Sequence, residues 1–357
     1  MKKVLLALFV LVVLAVAAAG GWYLRRERLV TEFAAAPVTL PSDGVTLIVP
    51  NGTGPKTLAK QLADAGIVTD PELLYLYIRR EQAGPRLKAG EYLFEGTLTP
   101  AQVVEQLASG KVKLYRFTVP EGLRVEEILP ILSRSELKLD LETLERLASD
   151  RTFLRKAGVP AGSLEGFLYP DTYSFTRNAT AERVLTKMVE RSLEEYRKAD
   201  GLRKNGVKLS LLETFTLASI VEKETGQPQE RPRISCVFHN RLRQGIKLQT
   251  DPTVIYAMKL LRGVYSKNIT RKDLETQHPY NTYTTPGLPP GPIASPGAAA
   301  LQAALNPLDC DDLFFVSRND GTHIFCPTLD CHEAAVRKWQ VEFFRNKRRQ
   351  QRMSGAQ

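Results

Sequence analysis

Residues 211–225, LLETFTLASIVEKET, decide how this chain is read. Good helix formers and apolar side chains run almost unbroken from Leu211 to Val221, then give way to Glu222, Lys223 and Glu224. Apolar residues on every side describe a helix buried nearly all round. A carboxyl at the end of such a helix loses water, and desolvation tunes a carboxylic acid for catalysis. Helical spacing sets Leu217, Ile220 and Val221 on the face of Glu224, and Phe215 and Ala218 on that of Glu222. Periodicity therefore leaves both acids as candidates.

The N-terminus supplies an address. An apolar segment from Val4 to Leu24 follows Met1-Lys2-Lys3 and is long enough to cross a hydrocarbon core of roughly 30 Å. Arg25, Arg26 and Arg28 close it, and Trp22 and Tyr23 suit a membrane interface. Small-residue sites at Ala15-Val16-Ala17 and Ala17-Ala18-Ala19 leave a cleaved signal peptide as the alternative. Length favours a retained signal anchor over residues 1–24, single-pass in the cytoplasmic (inner) membrane, with the body on the periplasmic or extracytoplasmic side.

The 357 residues carry a formal net charge of +10, with 49 Lys and Arg, but the basic residues are scattered. Only the stretch from Arg345 into the tail 346–357 is dense. Nucleic acid needs a continuous basic face with groove-reading or stacking elements, and an exported body makes it an improbable partner. Anionic lipid or an acidic wall polymer is the better match. Four cysteines, Cys236, Cys310, Cys326 and Cys331, fit an oxidising compartment. One disulfide is favoured over free thiols, with the pairing of Cys310, Cys326 and Cys331 left open. A zinc site with His323 and His332 has the ligand types but matches no common module spacing.

The pattern between these landmarks predicts an α+β chain. Residues 25–43 read as a stalk without apolar period. Residues 44–115 alternate strand, helix, helix, strand, helix: Val45–Val49, Thr57–Ala65, Leu73–Arg80, Lys88–Phe94 and Thr99–Ser109. Small modules of this design resemble the LysM-like fold, which binds amino-sugar glycans; a spacer is the plainer reading. A connecting strand and helix region follows over 116–160, and a mixed α+β domain over 161–345. Its segment LEGFLYPDTYSF (164–175) is dense in aromatics, which either stack on sugar rings or form core. His239, on a helix from Arg231 to Leu242, reads as a helix-face residue with a local partner. Gln249, Thr250 and Asp251 precede a Pro-initiated helix, with Asp251 the natural N-cap. The loop HPYNTYTTPGLPPGPIASPG (278–297) is too long and too rich in specific side chains, Asn281 and Tyr283 among them, for a linker.

LEGFLYPDTYSF, ASIVEKET, VFHNRLRQGIKLQTDPTVIYAM, YNTYTTPGLPPGPIASPG and FFVSRNDGTHIF, in this order, resemble the YceG-like family, the endolytic murein transglycosylases. The resemblance covers nearly the whole chain. It implies a membrane-anchored lyase of cell wall biogenesis that cleaves between N-acetylmuramic acid and N-acetylglucosamine in nascent peptidoglycan strands, leaves 1,6-anhydro ends and terminates elongation. The implied partners are the glycan strands and the peptidoglycan synthases (penicillin-binding proteins). It places the catalytic acid on Glu224, with Glu222 the runner-up. Gln249, Thr250, Asn281 and Tyr283 are the candidates for holding sugars; Glu165 and Asp171 are weaker, since both could serve turns. No metal or cofactor is required. The rival readings are a non-catalytic, membrane-tethered peptidoglycan-binding or scaffold protein, and a serine hydrolase. The hydrolase lacks its nucleophile elbow: Ser295 sits in IASPG, not in Gly-x-Ser-x-Gly.

Overall fold

The computed structural model describes residues 2–266 and 268–345, with side chains from residue 8; the expected basic tail 346–357 lies outside them. The chain is mixed α+β and falls into two compact units, one up to Tyr115 and one from Arg116.

The first unit opens with helix α1 (Lys2–Ala35), which is long and apolar enough over Leu8–Ala35 to cross a membrane. Strand β1 (Val38–Thr39) and β2 (Val45–Val49) follow, then α2 (Pro55–Asp64), α3 (Pro71–Arg80), β3 (Gly90–Phe94), β4 (Thr97–Leu98) and α4 (Pro100–Ser109). β2 pairs antiparallel with β3, Val45 opposite Phe94 and Val49 opposite Gly90, and β1 pairs with β4. Apolar faces of the three short helices close over this ribbon, so Leu58, Leu62, Leu74, Ile78, Phe94 and Leu107 form a core without solvent. Asp70 and Thr99 cap α3 and α4 with their side chains.

The expected stalk is the main departure. Residues 25–35 continue α1, because Val30, Phe33 and Ala34 recur at helical spacing and are buried where α1 packs on α3 and α4. Arg80 ties the join: its Nη1 donates to Thr31 Oγ1 at 2.8 Å and lies 3.6 Å from Glu27.

The second unit contains β5 (Tyr115–Thr118), α5 (Val125–Arg134), α6 (Leu141–Ser149), α7 (Arg151–Ala157), β6 (Thr172–Phe175), α8 (Ala181–Asp200), α9 (Leu211–Glu224), α10 (Arg231–Arg243), α11 (Asp251–Arg262), α12 (Arg271–Glu275), α13 (Ala298–Leu305), β7 (Phe314–Ser317), β8 (His323–Cys326) and α14 (Leu329–Val336). Residues 116–160 thus fold with this unit: β5 pairs with β6, and Phe117 stacks on Tyr173 and Phe175. α9 is the central element. A Ser210–Glu213 capping box starts it, every residue from Thr214 to Val221 is buried, and α13, α10 and α11 pack around it. The aromatic segment is core: Phe167 stacks on Phe215 of α9, ring centroids 4.5 Å apart.

The loop 278–297 is packed onto α9. Ile293 N–H donates to Ser219 Oγ at 3.0 Å, and Ser295 and the 122–123 turn exchange two backbone hydrogen bonds. Gly166 has φ +81°, and a Cβ there would lie 2.3 Å from Pro292 Cβ, so only glycine allows the 164–175 segment to meet this loop.

Candidate functional site

The two acids at the end of α9 part company. Glu224 is half-buried and opens into a cleft of about 540 Å³, lined also by Arg241, Leu248, Gln249, Asp251, Tyr283, Phe314, Phe315, His323 and His332. Its Oε1 accepts a hydrogen bond from Thr250 Oγ1. Burial pushes the carboxyl up to about 7, the Thr250 hydroxyl opposes the shift and the negative charge of Asp251 adds to it.

Glu222 faces protein. Its side chain is only 6% exposed, Oε1 lies 2.7 Å from Arg231 Nη2, and Oε2 accepts the Gly297 N–H at 3.0 Å. Burial outweighs both contacts and raises its pKa. The group joins α9, α10 and the start of α13, and does not line the cleft.

Thr250 occupies the N-cap position of α11, where Asp251 was expected, yet its hydroxyl makes no cap bond and is directed to Glu224 instead. Asp251 becomes the first helical residue and accepts from Tyr283 Oη at 2.7 Å. Gln249 holds φ +50°, a left-handed conformation uncommon outside glycine. Arg241 maintains it: buried in α10, its Nη1 donates to the carbonyls of Lys247 and Leu248 and lies 3.3 Å from Gln249 Oε1. Gln249, Thr250 and Tyr283 are thereby gathered around Glu224.

Asn281 is elsewhere. It is fully buried, donating to the carbonyls of Asp273, Leu274 and Thr276 and accepting from Tyr283 N–H. It positions Tyr283 and cannot touch a ligand in the cleft. Asp171 pairs with Arg191, and His239 Nε2 meets the Ala304 carbonyl at 2.8 Å. Glu165 is half-buried beside α11, where Val125 N–H and Tyr256 Oη donate to it; desolvation lifts its carboxyl to about 7.

Among the described residues no His, Cys, Asp and Glu cluster could hold a metal. The cysteines make two disulfides rather than one, Cys236–Cys310 and Cys326–Cys331. Asp251, Arg241, Phe314, Phe315, His323 and His332 were not expected in the cleft. His323 is oriented by Glu230, 2.7 Å from its Nδ1, and His332 stacks on Phe314. Asp251 was signalled by its place in the QTDP run, while Arg241, Phe314, Phe315 and His323 lie in the quoted motifs without a role drawn for them in the cleft.

A raised-pKa glutamate beside a carboxylate, in an open polar cleft rimmed by aromatics, defines an acid–base site suited to a polyhydroxylated ligand. Residues 47–338 match the family model described as the YceG-like family, and the chain belongs to that family. It is 30% identical over 314 residues to the endolytic murein transglycosylase of Bacillus subtilis, covering 83% of this chain and 84% of that protein. The protein of the same name from Streptococcus pneumoniae D39 is 27% identical over 361 residues, covering 91% of this chain and 63% of its own length. A crystal structure of a YceG-like protein from Listeria monocytogenes aligns with TM-score 0.54 and 30% identity, over 83% of this chain and 100% of that one.

Proposed function

We propose that this protein is an endolytic peptidoglycan lytic transglycosylase, cutting between N-acetylmuramic acid and N-acetylglucosamine in nascent strands. Membership of the YceG-like family supports the reaction class, and the position of Glu224 in the cleft carries the assignment of the acid. An ordinary glycosidase needs one carboxyl to protonate the leaving oxygen and another to act as nucleophile or to activate water. Here the 6-hydroxyl of the muramic acid takes the second part. Protonated Glu224 gives its proton to the glycosidic oxygen as the C1–O bond breaks. The 6-oxygen bonds to C1, and its proton returns to Glu224, so the enzyme ends as it began and no water is consumed.

Glu224 must be protonated at the start, which its pKa of about 7 allows near neutrality. Thr250 fixes its rotamer, and the Asp251 carboxylate, held by Tyr283, faces the cleft where it would stabilise an oxocarbenium-like charge. Gln249 and Tyr283 present polar groups to the sugars. The presence of Asp251 favours one second reading, a hydrolase in which Asp251 activates water.

The further parts of the proposal are a single-pass anchor formed by α1 with the body outside the cytoplasm, a LysM-like role for residues 44–115 in binding or orienting glycan, and work beside peptidoglycan synthases. Mass spectrometry of peptidoglycan treated with the full-length protein tests the reaction. Anhydro-ended fragments, one water lighter than hydrolytic products, are expected; a glycan binder releases none.

A further inference from the structure

The end of α11 and the turn after it carry features that the cleft does not use. Leu260, Leu261 and Val264 are 47%, 53% and 69% exposed, three large apolar side chains within five residues. The same helix buries Val254, Ala257 and Met258, and Leu261, seven, four and three residues further on, carries that apolar face past the packed core into solvent. Gly263, at φ +72°, ends the helix in a left-handed turn that thrusts Val264 outward, and Tyr265 is half-buried beside it. Scattered exposed apolar residues are ordinary, but a contiguous group at a protruding turn marks a contact surface.

Charge indicates the partner. From Pro252 to Lys272 the sequence has Lys259, Arg262, Lys267, Arg271 and Lys272 and no acidic residue. Glu126 and Asp273 pair with Lys259 and Arg262, while Arg271 and Lys272 stand exposed. Apolar side chains at a turn flanked by cations match the interface of an anionic bilayer, where apolar groups enter the acyl boundary and cations meet headgroups; Tyr265 instead packs its ring against the Arg124 guanidinium, 3.9 Å away, and ties the turn to the body. The chain also supplies its own bilayer, through α1.

We infer that the Leu260–Tyr265 turn is a second membrane contact, which dips into the anionic leaflet when the chain is anchored and so sets the catalytic unit against the surface from which lipid-linked strands grow. The inference rests on the anchor reading of α1.

The test uses full-length protein carrying Val264→Cys, labelled with an environment-sensitive fluorophore and reconstituted into nanodiscs of mixed phosphatidylglycerol and phosphatidylcholine. The native cysteines are disulfide-bonded and do not compete for label. Leu308→Cys, also on an exposed apolar residue, is the control. Spin-labelled lipid is expected to quench the Val264 probe at least twofold more than the Leu308 probe, and Arg271→Glu with Lys272→Glu should remove most of the difference. Equal quenching at the two positions, quenching indifferent to lipid charge, or a probe shielded from water yet untouched by spin-labelled lipid overturns the contact. Failure of the protein to co-purify with nanodiscs overturns the anchor and this inference with it, whereas glycan cleavage by detergent-solubilised protein is unaffected by either.

Discussion

Glu222 and Glu224 lie two residues apart, are both desolvated and do opposite work. Glu224→Gln is expected to lower glycan cleavage at least about 10³-fold, the order expected when a general acid is lost, without loss of fold. Removing the charge of Glu222 leaves buried Arg231, among the described residues, to its longer contact with Glu121, 3.4 Å away, so Glu222→Gln should destabilise the protein by about 3 kcal/mol, read by denaturant unfolding, while retaining activity at low temperature. The pKa of Glu224, raised from 4.5 to about 7, has two consequences. Cleavage should fall as pH rises through about 7, as the acid form is depleted. A carboxyl whose folded pKa is raised holds its proton more tightly in the folded state, so its ionisation removes stability between pH 4.5 and 7. Glu224→Gln should therefore raise the melting temperature at pH 8 and leave it unchanged at pH 4. Periodicity could not separate the acids, because a helix buried on every side has no solvent face to betray direction, and the preference for Glu224 rests on the motif resemblance alone. Asn281 misled for a related reason: an amide suits a sugar and a backbone carbonyl equally, and only the fold shows three carbonyls around it.

At the scale of elements, α9 was legible because fourteen residues of one helix declare burial, cap and terminus locally. The N-terminal arm was not. Val30, Phe33 and Ala34 span little more than one helical turn, too short to register as a period, and their helix is stabilised by the faces of α3 and α4. A body beginning at Pro37 should thus be less stable than one beginning at Arg25, by roughly 3–5 kcal/mol from the lost burial of Val30 and Phe33, measured by thermal unfolding of the two fragments. The Cys236–Cys310 link was equally hidden, since it joins α10 to the segment before β7 across 74 residues. Cys236→Ala should cost about 4 kcal/mol and Cys326→Ala, which opens a five-residue loop, about 2. Comparable losses would mean that the long bridge constrains the unfolded chain less than its span implies.

On the scale of the whole molecule, an apolar helix, a small strand-and-helix unit and a larger unit with an acid-bearing cleft follow one another along the chain. The order suits an enzyme that meets its substrate at the membrane. The apolar helix at the start was legible in composition, as an unbroken run of apolar residues. The cleft itself was less so: FFVSRNDGTHIF carried the family resemblance but gave Phe314 and His323 no role, and His332 of α14 comes from a stretch whose local pattern carries no sign of a sugar site. In the proposed reaction the muramic acid's own hydroxyl replaces water and leaves Glu224 to act as both acid and base. Digestion of peptidoglycan in ¹⁸O-labelled water, followed by mass spectrometry of the products, addresses it directly. Anhydro ends with no ¹⁸O, lost in Glu224→Gln and kept in Glu222→Gln, are the expected result; ¹⁸O-bearing reducing ends, abolished by Asp251→Asn, would contradict the proposed reaction and make the protein a hydrolase.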